Sequence, residues 1–505
     1  MSDLLTQDEY IAIARKLTLP RNAYIAGTYR PSQSGKTFPT VNPATGEELA
    51  QIASCDAADV DFAVSKAREA FDEGVWSTLA PAERKKVLIR FAKYILEYRH
   101  ELAVVESLDS GKPIADCELI DIPVAAEALI WQAEALDKIY GHTAPASEDA
   151  IAMIVREPVG VVGCVLPWNF PLMMMMGKVA PALAAGCSVV VKPAEQTSLS
   201  ALWVAELGKR AGLPDGVLNV VTGFGPDVGE PLGRHPDVDM LSFTGSTEVG
   251  RLFLRYAADS NLKKVVLECG GKNPCIVLDD AEDLDAVAEQ VLTGALWHAG
   301  QNCSAISRLI VHKDIRKKLL DRIILRAKEW KMGDPMDPAN RLGPLVDSTH
   351  VEKVSGYLQA AKKDNLKLLL GGKVVDGRYV EPTIYDAEGK ETSLLVDEVF
   401  GPVITVVTVD SLAEAIQVAN DTEYGLAASV FSSNGKRAIS AARAIKAGVV
   451  TVNCYGEGSA ATPFGGYRQS GFGGREEAFN SHKQYTEVKT IWIDLTDHTG
   501  AGVDR

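Results

Sequence analysis

The chain has no C-x-x-C pair, no histidine-rich tract, no excess of basic residues and no apolar run long enough to cross a bilayer. Its eight cysteines, at 55, 117, 164, 187, 269, 275, 303 and 454, are scattered, and several sit in apolar runs such as Val161-Val162-Gly163-Cys164-Val165. Such spacing excludes a disulfide frame and a zinc site and reads as a reduced, intracellular protein with no bound metal. A formal net charge of −15 argues against nucleic acid or an anionic membrane as a partner. The most apolar segment, 179–191, is broken by Pro181 and Gly186 and is too short for a membrane span. The opening Met1-Ser2-Asp3-Leu4-Leu5 turns polar at once, so a signal peptide is not expected and the expected location is cytoplasmic. Repeats and low-complexity tracts are missing too.

What is present is the composition of an ordinary globular protein, 46% hydrophobic and 24% charged, in 505 residues, too many for one core. Residues 1–20 read as a short, partly helical leader, and 56–140 as helical, with Phe62, Ala63, Ala67 and Ala70 at helical spacing. From 161 to 268, apolar β-branched runs alternate with helical stretches, which predicts a parallel sheet covered on both faces and a doubly wound nucleotide-binding layout. A second alternating series, with strands expected at 275–278, 309–312, 367–370, 403–409, 428–431 and 449–453, predicts a second α/β domain. The expected division is a cofactor domain from 1–140 and 160–270, a catalytic domain over 271–472, and a ribbon from 141–159 and 483–495. Such a ribbon is marginal alone, so another subunit is expected to complete it, making a homo-oligomer. The tail from Thr496 to Arg505 reads as frayed.

Several strand ends carry chemistry-bearing residues. Thr244-Gly245-Ser246-Thr247 leads from a strand into a helix whose N-terminus can meet a phosphate. It is neither G-x-G-x-x-G nor a P-loop, and alone it reads better as a tight turn. Lys192-Pro193-Ala194-Glu195 puts a cation and an acid at the sheet's ligand-binding edge. Glu268 ends a strand beside the double glycine Gly270-Gly271, as a movable base would. The Asn169 amide, in Pro167-Trp168-Asn169-Phe170-Pro171, is placed to donate to a developing oxyanion. Gly300-Gln301-Asn302-Cys303-Ser304 presents one cysteine at a turn after a helical run, as a nucleophile requires.

Taken in order with Glu398-Val399-Phe400-Gly401-Pro402 and Pro463-Phe464-Gly465-Gly466-Tyr467, these motifs resemble the NAD(P)-dependent aldehyde dehydrogenase superfamily over roughly residues 20–495. The resemblance implies a Rossmann-like cofactor domain, a catalytic α/β domain and a small β-ribbon for oligomerisation. It implies Cys303 as nucleophile, Glu268 as general base facing it across the interdomain cleft, and Asn169 as oxyanion donor. Trp168, Lys192, Glu195, Gly225, Gly245, Ser246, Gly250, Glu398 and Phe400 fall at cofactor-binding positions, with NAD favoured over NADP because Glu195 would repel a 2′-phosphate. CoA-acylating chemistry is disfavoured by Glu268, and a Cys–His hydrolase pairing Cys303 with His298 would leave the dinucleotide motifs without a job.

Within the superfamily the chain resembles the bacterial ω-amino- and guanidino-aldehyde branch, which includes γ-glutamyl-γ-aminobutyraldehyde and 4-guanidinobutyraldehyde dehydrogenases. The stretches Asp121-Ile122-Pro123 and Met153-Ile154-Val155-Arg156-Glu157-Pro158 carry that likeness. A small-molecule aldehyde of polyamine or arginine breakdown is therefore the expected substrate, a bulky aliphatic or aromatic aldehyde the alternative. Asp121, with Glu118 one turn before it, is expected to pair with a distal cation, while Phe170, Gly177 and Phe464 line the substrate tunnel. Many relatives carry tryptophan where this chain has Gly177, so a wider tunnel is expected.

Overall fold

The series over 161–268 forms the middle of an eight-stranded sheet in the computed structural model, which describes residues 4–496. Its five parallel strands, in chain order Val161–Val165, Ser188–Lys192, Leu218–Val220, Met240–Thr244 and Lys264–Glu268, lie in space as third, second, first, fourth, fifth. The order reverses beside Val161–Val165, so the crevice beyond the carboxyl ends of the first and fourth strands is where a dinucleotide fits. All five are apolar runs buried on both faces, between the helices Ala57–Asp72 and Thr247–Ala258 on one side and Pro171–Ala185 and Leu199–Ala211 on the other. The hairpin Ala23–Ile25 with Thr28–Arg30 closes one edge in antiparallel pairing.

The second series forms a seven-stranded sheet in the order Lys367–Leu370, Thr383–Asp386, Val403–Val409, Ile306–His312, Asn273–Val277, Ala427–Phe431, Val449–Val452. All neighbours are parallel except the first pair. The sequence reading missed Thr383–Asp386, a four-residue strand between charged loops. It also placed Gly471–Phe472 in the second unit, whereas that strand pairs antiparallel with Lys264–Glu268 and ends the first sheet. This return brings the loop before it, 463–470, against Glu268.

Ala150–Pro158 and Thr486–Asp494 pair antiparallel over nine residue pairs, and His142–Ala144 adds a third strand, so the expected ribbon is a three-stranded sheet. Thr486–Asp494 is its edge, and Val488, Ile491, Trp492 and Ile493 on it are exposed. The start of the expected leader and most of the expected frayed tail lie outside the described residues; within them, Gln7–Ala14 is a helix closed by a Thr6–Glu9 capping box. No helix among the described residues is long and apolar enough to cross a membrane.

Candidate active site

The helix Leu284–Leu296 ends in a tight turn, Trp297–Gly300, in which His298, Ala299 and Gly300 all hold left-handed backbone, at φ 50°, 54° and 70°. Only glycine fits the third position, because a Cβ there would collide with the Gly401 carbonyl. The two that are not glycine, His298 and Ala299, store strain, which the surrounding hydrogen bonds hold in place. Gln301 Oε1 accepts from the Val346 amide at 3.0 Å, Asn169 Nδ2 donates to the Gln301 carbonyl at 3.0 Å, and Asn273 Nδ2 donates to the Cys303 carbonyl at 2.7 Å. Asn302 Nδ2 donates to the Tyr455 hydroxyl at 2.9 Å, and Ser304 Oγ bonds Glu457 Oε1. Cys303 is thus fixed on both sides, partly exposed, while its own amide donates to no described residue.

The thiol faces a cavity of about 660 Å³. Burial, and after it the charges of Glu457, Glu398, Glu268 and Glu476, hold the Cys303 thiol well above its ordinary range. Phe170, Gly177 and Phe464 line this cavity, as expected of them. Asp121 does not. It is fully buried on the turn Cys117–Asp121 and paired with the equally buried Lys112, because an unpaired carboxylate there would be too costly to desolvate. Glu118 points away as well, to Tyr10, Arg99 and His100. The acids that do line the cavity are Asp116, Glu127, Glu457, Glu476 and Glu477, against one basic residue, Arg341. His298 is buried beside Phe170 and does not line the cavity, which removes the basis for a Cys–His pair.

Glu268 ends the fifth strand beside Thr244 of the fourth. It is 3% exposed, and neither carboxylate oxygen makes a hydrogen bond of normal geometry. Burial first, then the charge of Glu476, pushes its carboxyl well above the usual range, while Lys178 and Arg475 pull it down. It is turned toward Gly465, where any Cβ would meet Oε1, rather than into the cavity. A turn of this carboxyl toward Cys303 would break no hydrogen bond of normal geometry. Behind it lies the ion pair of Lys178 with Glu476, which the sequence reading did not single out. Lys178 left one signal: it is the sole charge in the apolar helix Pro171–Ala185, and it is fully buried.

The dinucleotide edge is built from the same strand ends. Lys192 closes the second strand and pairs with Glu195 at 2.9 Å. Ser246 caps the twelve-residue helix Thr247–Ala258 by accepting from the Val249 amide, so its side chain serves the helix and the free N–H groups beside it can meet a phosphate. A Cβ at Gly245 would stand 2.5 Å from the Phe243 ring, and one at Gly250 3.1 Å from the Cys269 sulfur, so both glycines let the turn pack against the sheet. Gly225 opens an exposed turn with free space around it. Trp168 packs edge-on against His350 at 5.1 Å and Phe400 at 5.3 Å, joining the loops of the two sheets. Glu398 Oε1 accepts from the Gly271 amide at 2.8 Å, and a Cβ at Gly270 would collide with the same carboxylate. Acceptors for hydroxyls, a helix N-terminus for a phosphate and an aromatic wall fit a nicotinamide dinucleotide.

A parallel sheet that reverses its strand order over such an edge, set against a second sheet presenting a cysteine, is the frame of a dinucleotide-linked oxidoreductase. Residues 29–491 match the aldehyde dehydrogenase family. The aminoacetaldehyde dehydrogenase of Pseudomonas aeruginosa is 58% identical over 496 residues, which are 98% of this chain and 100% of that protein. Two solved structures superpose over 97% of this chain and 100% of theirs: the P. syringae indole-3-acetaldehyde dehydrogenase in complex with NAD+ and IAA (TM-score 0.96, 46% identity) and a γ-glutamyl-γ-aminobutyraldehyde dehydrogenase from Burkholderia cenocepacia (TM-score 0.95, 45% identity). The chain belongs to the aldehyde dehydrogenase family and has its fold. Its activity is the oxidation of an aldehyde with a nicotinamide dinucleotide.

Proposed function

We propose that the chain oxidises aldehydes carrying a distal ammonium or guanidinium, with NAD preferred over NADP. The observation that carries this reading is the cavity at Cys303, lined by five acids and a single basic residue that is itself occupied, Arg341 pairing with Glu289 at 2.9 Å and stacking 3.6 Å over Trp330. A cation entering it offsets the charges of Glu457 and Glu476, among those that hold the thiol protonated, so the substrate's own tail favours the thiolate. The names of the P. aeruginosa and B. cenocepacia relatives support the same class. The NAD preference rests on Glu195, whose carboxylate accepts from a ribose 2′-OH and repels a 2′-phosphate, with Lys192 softening the discrimination.

In the proposed mechanism the Cys303 thiolate adds to the aldehyde carbon and the carbonyl electron pair moves onto oxygen. Asn169 Nδ2, with one N–H on the Gln301 carbonyl, and the unengaged Cys303 amide supply the oxyanion donors. A nicotinamide dinucleotide held at the Lys192, Glu195, Ser246 and Glu398 edge would supply the acceptor for the hydride that leaves this carbon. The C=O re-forms as a thioester on Cys303. Glu268 swings in, takes a proton from water, and the hydroxide displaces the thiolate, releasing the acid.

The test is kcat/KM for 3-aminopropanal and 4-guanidinobutyraldehyde against hexanal and benzaldehyde, each with NAD and with NADP. At least about tenfold in favour of the cationic pair, and of NAD, is expected. Equal or better turnover of the neutral aldehydes would remove the cationic-substrate reading. We also infer that the exposed edge Thr486–Asp494 pairs with a second copy of the chain, because Val488, Ile491, Trp492 and Ile493 leave an apolar strand uncovered. Sedimentation giving a monomer mass would refute that.

A further inference from the structure

One wall of the cavity over Cys303 gathers acid and amide side chains. The helix Ile122–Ala135 turns Glu127 and Gln132 toward it, and the segment that carries Glu476 and Glu477 closes it. Gln132 is 4% exposed, and its Nε2 donates to Ser481 Oγ at 2.8 Å. The Ser481 hydroxyl donates in turn to the Ala478 carbonyl at 2.9 Å. With its proton committed, that hydroxyl can only accept from Gln132, which fixes the amide's orientation. Gln132 Oε1 is left buried with no partner among the described residues, in a side chain that lines the cavity. Buried acceptors are ordinarily paired, so this one can take a donor from a ligand or from an ordered water.

The neighbouring carboxyls point the same way. Glu477 and Ala478 hold left-handed backbone, at φ 60° and 50°, without being glycine. That conformation carries the Glu477 carboxyl among Glu457, Glu476 and Glu127. Burial first, then repulsion from those three, pushes it up to about 8. Gly177 completes the wall: a Cβ there would stand 3.7 Å from Glu476 Oε2, so any larger side chain would screen that carboxylate from the cavity.

We propose that Gln132, Glu127 and Glu477 form a distal subsite for the substrate's terminal cation. The proposal rests on the cationic-aldehyde reading above and assigns it to residues other than Asp121. A group with several N–H donors suits it, since Gln132 Oε1 and the two carboxylates can each take one. A guanidinium spreads five donors in a plane and an ammonium three about a point. In the bound state the cation neutralises the mutual repulsion of the acids and the orphaned amide oxygen gains its donor.

The experiment compares native protein with Glu477→Gln on 4-guanidinobutyraldehyde, 3-aminopropanal and hexanal at saturating NAD. The expected result is a KM raised about tenfold or more for the guanidino substrate, kcat within about threefold, and unchanged hexanal turnover. A larger KM effect on the guanidino than on the amino substrate is expected if the subsite lies at the depth of the longer tail; the reverse would place the cation elsewhere and overturn the assignment. An unchanged ratio of cationic to neutral kcat/KM in Glu477→Gln also overturns it, even where the native protein prefers cations. No such preference in the native protein would instead sink the underlying function reading. Should Glu477→Gln lose hexanal turnover as well, the same comparison on the exposed Glu127→Gln decides, with the same two readings.

Discussion

Cys303→Ala is expected to reduce aldehyde-dependent formation of the reduced cofactor by roughly 10⁴-fold or more, at unchanged cofactor affinity. The size follows from the chemistry. Without sulfur there is no covalent adduct from which a hydride can leave, and among the described residues Cys303 is the only thiol lining the cavity. The local structure should survive, because the bonds that hold the turn come from Gln301, Asn302, Ser304, Asn273 and the Cys303 carbonyl, not from the thiol. Cofactor binding by quenching of intrinsic fluorescence and the unfolding midpoint are the controls. Retention of more than about a hundredth of native turnover with both controls intact would show that another residue attacks the aldehyde.

Glu268→Gln is expected to lower steady-state turnover by about 10²–10⁴ while sparing the first turnover. A mixing experiment should therefore give a burst of reduced cofactor of about one equivalent per site, followed by near arrest, since hydride departure needs no base at 268 and thioester hydrolysis does. The pH dependence should change with it. Burial and the charge of Glu476 hold the Glu268 carboxyl up, and the Cys303 thiol is held up as well, so the reactive forms of both gain population as pH rises. Native turnover should increase from neutral into mildly alkaline pH, and the variant should lose the part of that limb that belongs to deacylation. No burst, with turnover and burst lost together, would place Glu268 in the attack step instead.

The sheets were legible because their strands are continuous apolar runs, buried on both faces, and such runs need no partner to be recognised. Lys367–Leu370 and Val403–Val409 are found with the expected limits. Thr383–Asp386 was not legible, since four residues with a polar one at each end carry little pattern. At the site, Phe170, Gly177, Phe464 and Cys303 gather round one cavity as the motif order implied. Asp121 failed for a reason invisible in one dimension: helical spacing puts it level with Glu118, but burial of Lys112 opposite decides that it faces inward. Glu457, Gln132 and Glu477 escaped notice because each sits far along the chain from Cys303, and only the fold brings them together. Glu268 was expected to face Cys303 and instead lies turned toward Gly465, a side-chain rotation that no strand pattern specifies.

The central claim, that an aldehyde is oxidised while bonded to Cys303, is tested most directly by mass spectrometry of the Glu268→Gln protein mixed with 4-guanidinobutyraldehyde and NAD. Quenched in acid within the burst and digested, the peptide bearing Cys303 should gain the mass of the 4-guanidinobutanoyl group, lost again on treatment with hydroxylamine. A burst of reduced cofactor with that peptide unmodified, or with the acyl group on another residue, would contradict the account.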